Sequence, residues 1–127
     1  MKLAMMIVAL LAAATTAASG QDVAAGETSF RKCLPCHAVG EDARNKIGPI
    51  LNGLEGRQSG TIDGYSYTQA NKDANIIWSD ASFKEYMVDP RGKIPGTKMV
   101  FNGIKNEAEV ANLWTYLKQF GPDGKKK

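Results

Sequence analysis

The chain has two cysteines and one histidine, and that scarcity already narrows its chemistry. A structural zinc site takes four ligands at suitable spacing, more than these residues supply. Charge of one sign is scarce too. Lys and Arg number 16 against 13 Asp and Glu, a net +3, which is too mild to suggest a nucleic-acid partner. The basic residues form no continuous run apart from Lys125 to Lys127. Long hydrophobic runs are missing as well. The apolar stretch from Leu3 to Ala14 falls well short of the about 20 residues that a membrane span needs. No segment sustains two-residue alternation, so no sheet is expected.

What the chain does hold is Cys33-Leu34-Pro35-Cys36-His37. The order C-x-x-C-H is that of a c-type haem attachment site. Two thiols separated by two residues can each add to one haem vinyl group. The adjoining His37 then reaches the iron with an imidazole nitrogen. A thioredoxin-like dithiol would instead ask for a surrounding βαβ pattern, and none is readable. A structural disulfide between these cysteines would close a very small loop and staple little.

The N-terminus agrees with haem attachment outside the cytoplasm. Met1-Lys2 is a short positive start, the apolar run follows, and small residues end in Ala17-Ala18-Ser19-Gly20 before Gln21. This is the pattern of a secretory signal peptide. Cleavage is expected after Gly20, with the cut after Ala18 as the alternative. The expected organisation is therefore a leader over residues 1–20 and one exported, soluble domain over residues 21–127. A domain of that size buries a modest core. A large apolar macrocycle held covalently in its middle would supply the core that the side chains lack.

Coarse organisation reads as helical with long irregular segments. Asp22 can cap a first helix running from Val23 towards Cys33. Gly26 and Phe30 share one face of it, and the glycine suggests a second helix crossing closely there. The partner is expected to be the last helix. Asn106 and Glu109 resemble a capping box, Val110, Leu113, Trp114 and Leu117 recur at helical spacing, and Gly121-Pro122 stops it. A third helix is expected over about Ser79 to Val88, with Phe83, Tyr86 and Met87 on one face. Pro90 then disfavours helix at Asp89. From Gly40 to Asn75 the chain is rich in Gly, Asn and Lys, an oversized loop for a compact domain unless it packs on a cofactor. Residues 121–127 read as a frayed tail.

These residues together resemble the small class I c-type cytochromes, closest to bacterial cytochrome c2 and mitochondrial cytochrome c. The resemblance covers about Gln21 to Phe120. It is carried by Cys33-Leu34-Pro35-Cys36-His37, Ile47-Gly48-Pro49, Tyr65-Ser66-Tyr67-Thr68-Gln69-Ala70-Asn71-Lys72 and Ile94-Pro95-Gly96-Thr97-Lys98-Met99-Val100-Phe101. It implies an all-α, single-domain cytochrome c fold, with helices and long loops wrapped around one covalent haem c. His37 and Met99 would be the axial iron ligands, and such a pair raises the reduction potential. It also leaves the iron no open position, which favours electron transfer over catalysis.

Other roles follow from the resemblance position by position. The Pro49 carbonyl would accept the second ring N–H of His37. Tyr67 and Trp78 would hydrogen-bond a haem propionate, with Arg57 offsetting its charge. Tyr86 would direct its hydroxyl to the Met99 sulfur, with Asn71 close by, Thr97 supporting the loop and Phe101 covering the haem edge. Three positions depart from the family pattern. Glu55 stands where an aromatic is common and would be an exposed rival partner for Arg57. Asn75 replaces a glycine and tolerates positive φ. Trp114 takes an aliphatic position.

The resemblance further implies that Lys32, Lys46, Arg91, Lys98 and Lys105 ring the exposed haem edge and steer acidic redox partners. The implied function is a periplasmic monomeric carrier, not an enzyme. It would take single electrons from a quinol–cytochrome c oxidoreductase to a terminal oxidase or a photosynthetic reaction centre. The rival classes are a haem peroxidase or ligand sensor, which would need an open sixth position, and a thiol–disulfide oxidoreductase, which would need free thiols.

Overall fold

Asp22 starts the first helix by accepting a hydrogen bond from the Ala25 N–H at 3.1 Å, satisfying a donor that every helix start leaves open. The computed structural model describes residue 12 and residues 21–127; apart from Ala12, the expected leader lies outside the described residues. Five helices follow in order: α1 (Val23–Phe30), α2 (Gln69–Asp73), α3 (Asp80–Val88), α4 (Pro90–Lys93) and α5 (Glu107–Leu117). Among the described residues there are no strands, only two isolated bridges, Gln58 with Ile77 and Phe120 with Lys126.

The frame is the crossing of α1 on α5. A Cβ at Gly26 would lie 2.0 Å from the Asn112 carbonyl oxygen and 2.8 Å from Tyr116 Cβ, so the backbones meet where only glycine fits. Phe30 packs on Tyr116 with ring centroids 5.5 Å apart, and the Asp22 N–H donates to Asn112 Oδ1 at 3.0 Å. Gly26→Ala is therefore expected to force the helices apart and to cost at least the roughly 1–3 kcal/mol typical of overpacking. Chemical denaturation of the haem-loaded variant measures it, and an unchanged midpoint would contradict the close crossing.

On α5, the Asn106 side chain accepts the Glu109 N–H at 2.9 Å, but the reciprocal half of the expected capping box is not made. The Glu109 carboxylate instead accepts from Ser29 Oγ at 2.9 Å and from Lys32 Nζ, tying α5 to the last turn of α1 and the residues just after it. Val110, Leu113 and Leu117 are fully buried, and Trp114 packs on Phe83 of α3 at 5.0 Å between centroids. The tryptophan is thus absorbed by an aromatic neighbour.

Helix α3 carries a reciprocal cap between Ser79 and Ser82. It ends at Val88 as Pro90 requires, yet Pro90 does not end helical structure. It opens α4, where a missing N–H costs nothing in the first turn, and Asp89 caps it through Gly92 N–H at 3.1 Å. In the long central segment, Asn52 exchanges two hydrogen bonds with Gly40, at 2.9 Å and 2.8 Å. Asn75 adopts φ 52°, the left-handed region that asparagine tolerates.

Residues 121–127 do not fray. Gly121 N–H donates to the Lys125 carbonyl at 2.9 Å and Lys127 N–H to the Gln119 carbonyl at 2.8 Å. Gly124 sits so close to Gly40 that a Cβ would lie 2.2 Å from its carbonyl oxygen. Glu55 is exposed and meets Lys127 Nζ at 3.4 Å, so it is a partner of this tail and not of Arg57.

Candidate functional site: a haem pocket

The helices and the central loops enclose a largely apolar cavity of about 400 Å³. Cys33, Cys36 and His37 reach it because the chain keeps turning after α1. Cys33 N–H donates to the Phe30 carbonyl and His37 N–H to the Cys33 carbonyl, both at 2.8 Å, which brings all three side chains to one wall. His37 Nδ1 lies 2.7 Å from the Pro49 carbonyl oxygen. A carbonyl only accepts, so Nδ1 carries the ring proton and Nε2 keeps its lone pair for a metal. Burial, chiefly, lowers the His37 pKa, opposed by the Pro49 bond; the neutral ring is the ligating form.

Gly48 makes room for that ring. A Cβ there would lie 2.4 Å from His37 Cε1, a role that no local sequence pattern marks. Burial also pushes the Cys33 thiol up to about 11, against the opposing influence of Lys32. That is the opposite direction from the lowered pKa of reactive thiols.

Across the cavity, the Tyr86 hydroxyl donates to Met99 Sδ at 3.0 Å. Burial pushes the Tyr86 phenol up to about 12, so it remains a donor. Trp78 stands edge-on to it at 4.9 Å between centroids. Thr97 Oγ1 accepts the Met99 N–H at 3.3 Å, and Thr97 N–H in turn donates to the Ile94 carbonyl at 3.1 Å, fixing the loop that presents the sulfur. Asn71 Oδ1 accepts from Thr68 Oγ1 at 2.9 Å, at the start of α2. Phe101 is half-buried on the same wall.

Arg57, Tyr67 and Trp78 also line the cavity. Arg57 Nη1 donates to the carbonyls of Ile50 and Asn52 at 3.0 Å and 3.1 Å, which anchors the guanidinium at the wall. Tyr67 accepts the Ile62 N–H at 3.1 Å and keeps its own hydroxyl proton to donate.

The five cations are all exposed; Lys32 and Lys98 line the cavity, whereas Lys46, Arg91 and Lys105 do not. Lys98 holds the Ser66 carbonyl and lies over the Tyr65 ring, 4.6 Å from its centroid. Lys46 holds the Leu34 carbonyl at 2.6 Å, inside the haem-attachment turn. Arg91 and Lys105 converge on Asn102, beside Phe101. Lys32 is paired with Glu109, so part of its charge is offset. That pairing crosses 77 positions of sequence and left no local signal.

Among the described residues no three His, Cys, Asp or Glu side chains gather to hold a bare metal ion. An imidazole, a thioether and two thiols around an apolar cavity instead suit a metal that arrives inside its own macrocycle. The residues present fit a haem, and a c-type one. A family profile described as Cytochrome c matches residues 23–121. The chain is 68% identical over 107 residues to a cytochrome c2 of Rhodoplanes tepidamans, covering 84% of this chain and 100% of that protein. It is 53% identical over 118 residues to a cytochrome c2 of Blastochloris viridis, covering 93% of each. Among solved structures, cytochrome cH from Methylobacterium extorquens superposes with a TM-score of 0.72 at 40% identity, covering 77% of this chain and 98% of that one. The chain belongs to the cytochrome c family. It carries one covalently attached haem c, for which Cys33 and Cys36 have the right spacing, and it is an electron carrier of a single haem and not an enzyme.

Proposed function

We propose that the protein is an exported, soluble carrier whose iron is ligated by His37 and Met99 and which shuttles electrons in the periplasm from a quinol–cytochrome c oxidoreductase to a terminal oxidase or a photosynthetic reaction centre. The observation that carries this reading is one cavity whose walls hold His37, bonded to Pro49, and Met99, bonded to Tyr86. When bound, the haem supplies a one-electron ferric–ferrous couple. The chain's residues do the rest. Pro49 fixes the ring plane and tautomer of His37. Tyr86 and Thr97 hold the thioether in place in both redox states, which keeps reorganisation small. Arg57, Tyr67 and Trp78 provide donors and positive charge for the propionates, which would otherwise be costly to bury.

Export is supported by the leader pattern of residues 1–20 and by the 107-residue match to the whole length of the Rhodoplanes tepidamans relative. Docking on acidic partners is supported by the exposed Lys32 and Lys98 at the cavity wall. Single exposed lysines change stability by only about ±0.5 kcal/mol, while their joint field governs encounter within a screening length of about 10 Å at 0.1 M salt. Charge reversal at Lys98, or at Lys32, is expected to slow bimolecular electron transfer several-fold at low salt and to flatten its ionic-strength dependence. Reversal at Lys125 should do much less. Stopped-flow kinetics against a purified acceptor complex measures both, and equal effects from Lys98 and Lys125 would remove the docking face.

A further inference from the structure

Two asparagines of this chain precede glycine, Asn52-Gly53 and Asn102-Gly103. Such pairs can cyclise, because a following glycine offers no side chain to hinder its own backbone nitrogen. The structure treats the two pairs in opposite ways. Asn52 is buried, at 5% exposure, and both ends of its amide are held by Gly40. Its neighbour's nitrogen is occupied as well, since Gly53 N–H donates to the Phe120 carbonyl at 3.0 Å.

Asn102 is exposed. Among the described residues, no acceptor takes the Gly103 N–H, and nothing holds the Asn102 Nδ2. Among the described residues the Asn102 side-chain amide is met by Arg91, whose Nη2 donates to Oδ1 at 2.8 Å. A cation on that oxygen draws electrons from Cγ and stabilises negative charge developing on the oxygen during attack. The leaving nitrogen stays in water. The fold also retains the reactive pair. Gly103 adopts φ 96°, and a Cβ on it would lie 2.4 Å from the Val88 carbonyl oxygen and 2.6 Å from that of Met87. No other residue fits at 103.

We propose that Asn102 is a site of spontaneous deamidation which places a carboxylate between Arg91 and Lys105 and so lowers the positive charge of the docking face as the protein ages. The backbone nitrogen of Gly103 attacks Asn102 Cγ, a C–N bond forms, and ammonia leaves with the transferred proton. The resulting succinimide takes up one water at either carbonyl, giving aspartate or isoaspartate. No redox partner or enzyme is needed. The change replaces a neutral amide by a negative group that Arg91 already faces. Its effect on electron transfer rests on the docking face proposed above, whereas the chemistry itself does not.

The test is ageing of the haem-loaded protein at mildly alkaline pH, with peptide mapping by mass spectrometry at intervals. Asn102 is expected to convert about tenfold faster than Asn52 or more, a ratio that a modest barrier difference supplies. The Asn102→Gln variant is expected to lose the conversion, and Arg91→Gln to slow it. An Asn102 that persists as long as Asn52 would overturn the proposal. A separate arm measures Asn102→Asp against an acidic acceptor at low salt. Slower transfer is the expected result. Unchanged transfer beside rapid conversion of Asn102 would overturn the docking consequence and leave the chemistry standing.

Discussion

Protein carrying Cys33→Ser and Cys36→Ser is expected to be largely unfolded. The cavity that these cysteines line has a volume of about 400 Å³. Leaving such a volume empty costs on the order of 10 kcal/mol at about 24 cal/mol per Å³, comparable with the whole 5–15 kcal/mol stability of a typical domain. Partial collapse or water entry reduces that cost, but the central loops then have no surface to pack on. The thioethers keep the haem on the unfolded chain as well, but only the folded chain packs around it, so the burial of the macrocycle favours the native state. Far-UV circular dichroism and thermal melting of the double variant measure this. Near-native helical signal with a cooperative melt in haem-free protein would show that the side chains suffice.

Met99→Ala should have the second large effect, this time on the iron. Removing the thioether leaves the Tyr86 hydroxyl without its acceptor at 3.0 Å, a penalty of about 1–3 kcal/mol if the group stays dry. More important, the proposed sixth position opens. The potential is expected to fall by on the order of 100 mV, a fraction of the roughly 0.8 V span that axial ligation commands. Carbon monoxide binding and peroxidase activity should appear. Wild-type protein should show little of either at neutral pH. Rapid carbon monoxide binding by the wild-type ferrous protein would mean that the site is open, and the ligand-sensor or peroxidase reading would replace the carrier.

Three helices were legible in the residues themselves. Asp22, Ser79 and Asn106 each stand at a start, and the apolar positions of α3 and α5 recur at helical spacing. The short α2 and α4 were not legible, because five and four residues hold no full period and depend on the caps of Thr68 and Asp89. Tail order was hidden for a different reason. It comes from the approach of Gly124 to Gly40 and from the Lys127–Glu55 pair, contacts between distant parts of the chain that no local pattern records.

The site divides in the same way. Cys33, Cys36 and His37 are adjacent in sequence, so their chemistry could be read directly. The facing pairs His37–Pro49 and Tyr86–Met99 are separated by 12 and 13 positions, and only family resemblance suggested them. Gly48 was visible as part of Ile47-Gly48-Pro49, but its reason, the His37 ring against its Cα, is a matter of geometry. Glu109 stands where a capping box places its acid. Its carboxylate instead serves Ser29 and Lys32, since a partner across the α1–α5 crossing outcompetes a local bond.

The central claim is that this chain moves one electron through a covalently held haem, and a potentiometric titration followed by optical spectroscopy addresses it directly. The predicted result is a single reversible wave in the haem absorbance, with a one-electron slope of about 59 mV per tenfold change in the oxidised-to-reduced ratio, and a haem that stays with the polypeptide through acid extraction because it is covalent. A wave with the two-electron slope of about 30 mV that belongs to a dithiol–disulfide couple, without haem absorbance, would contradict the account.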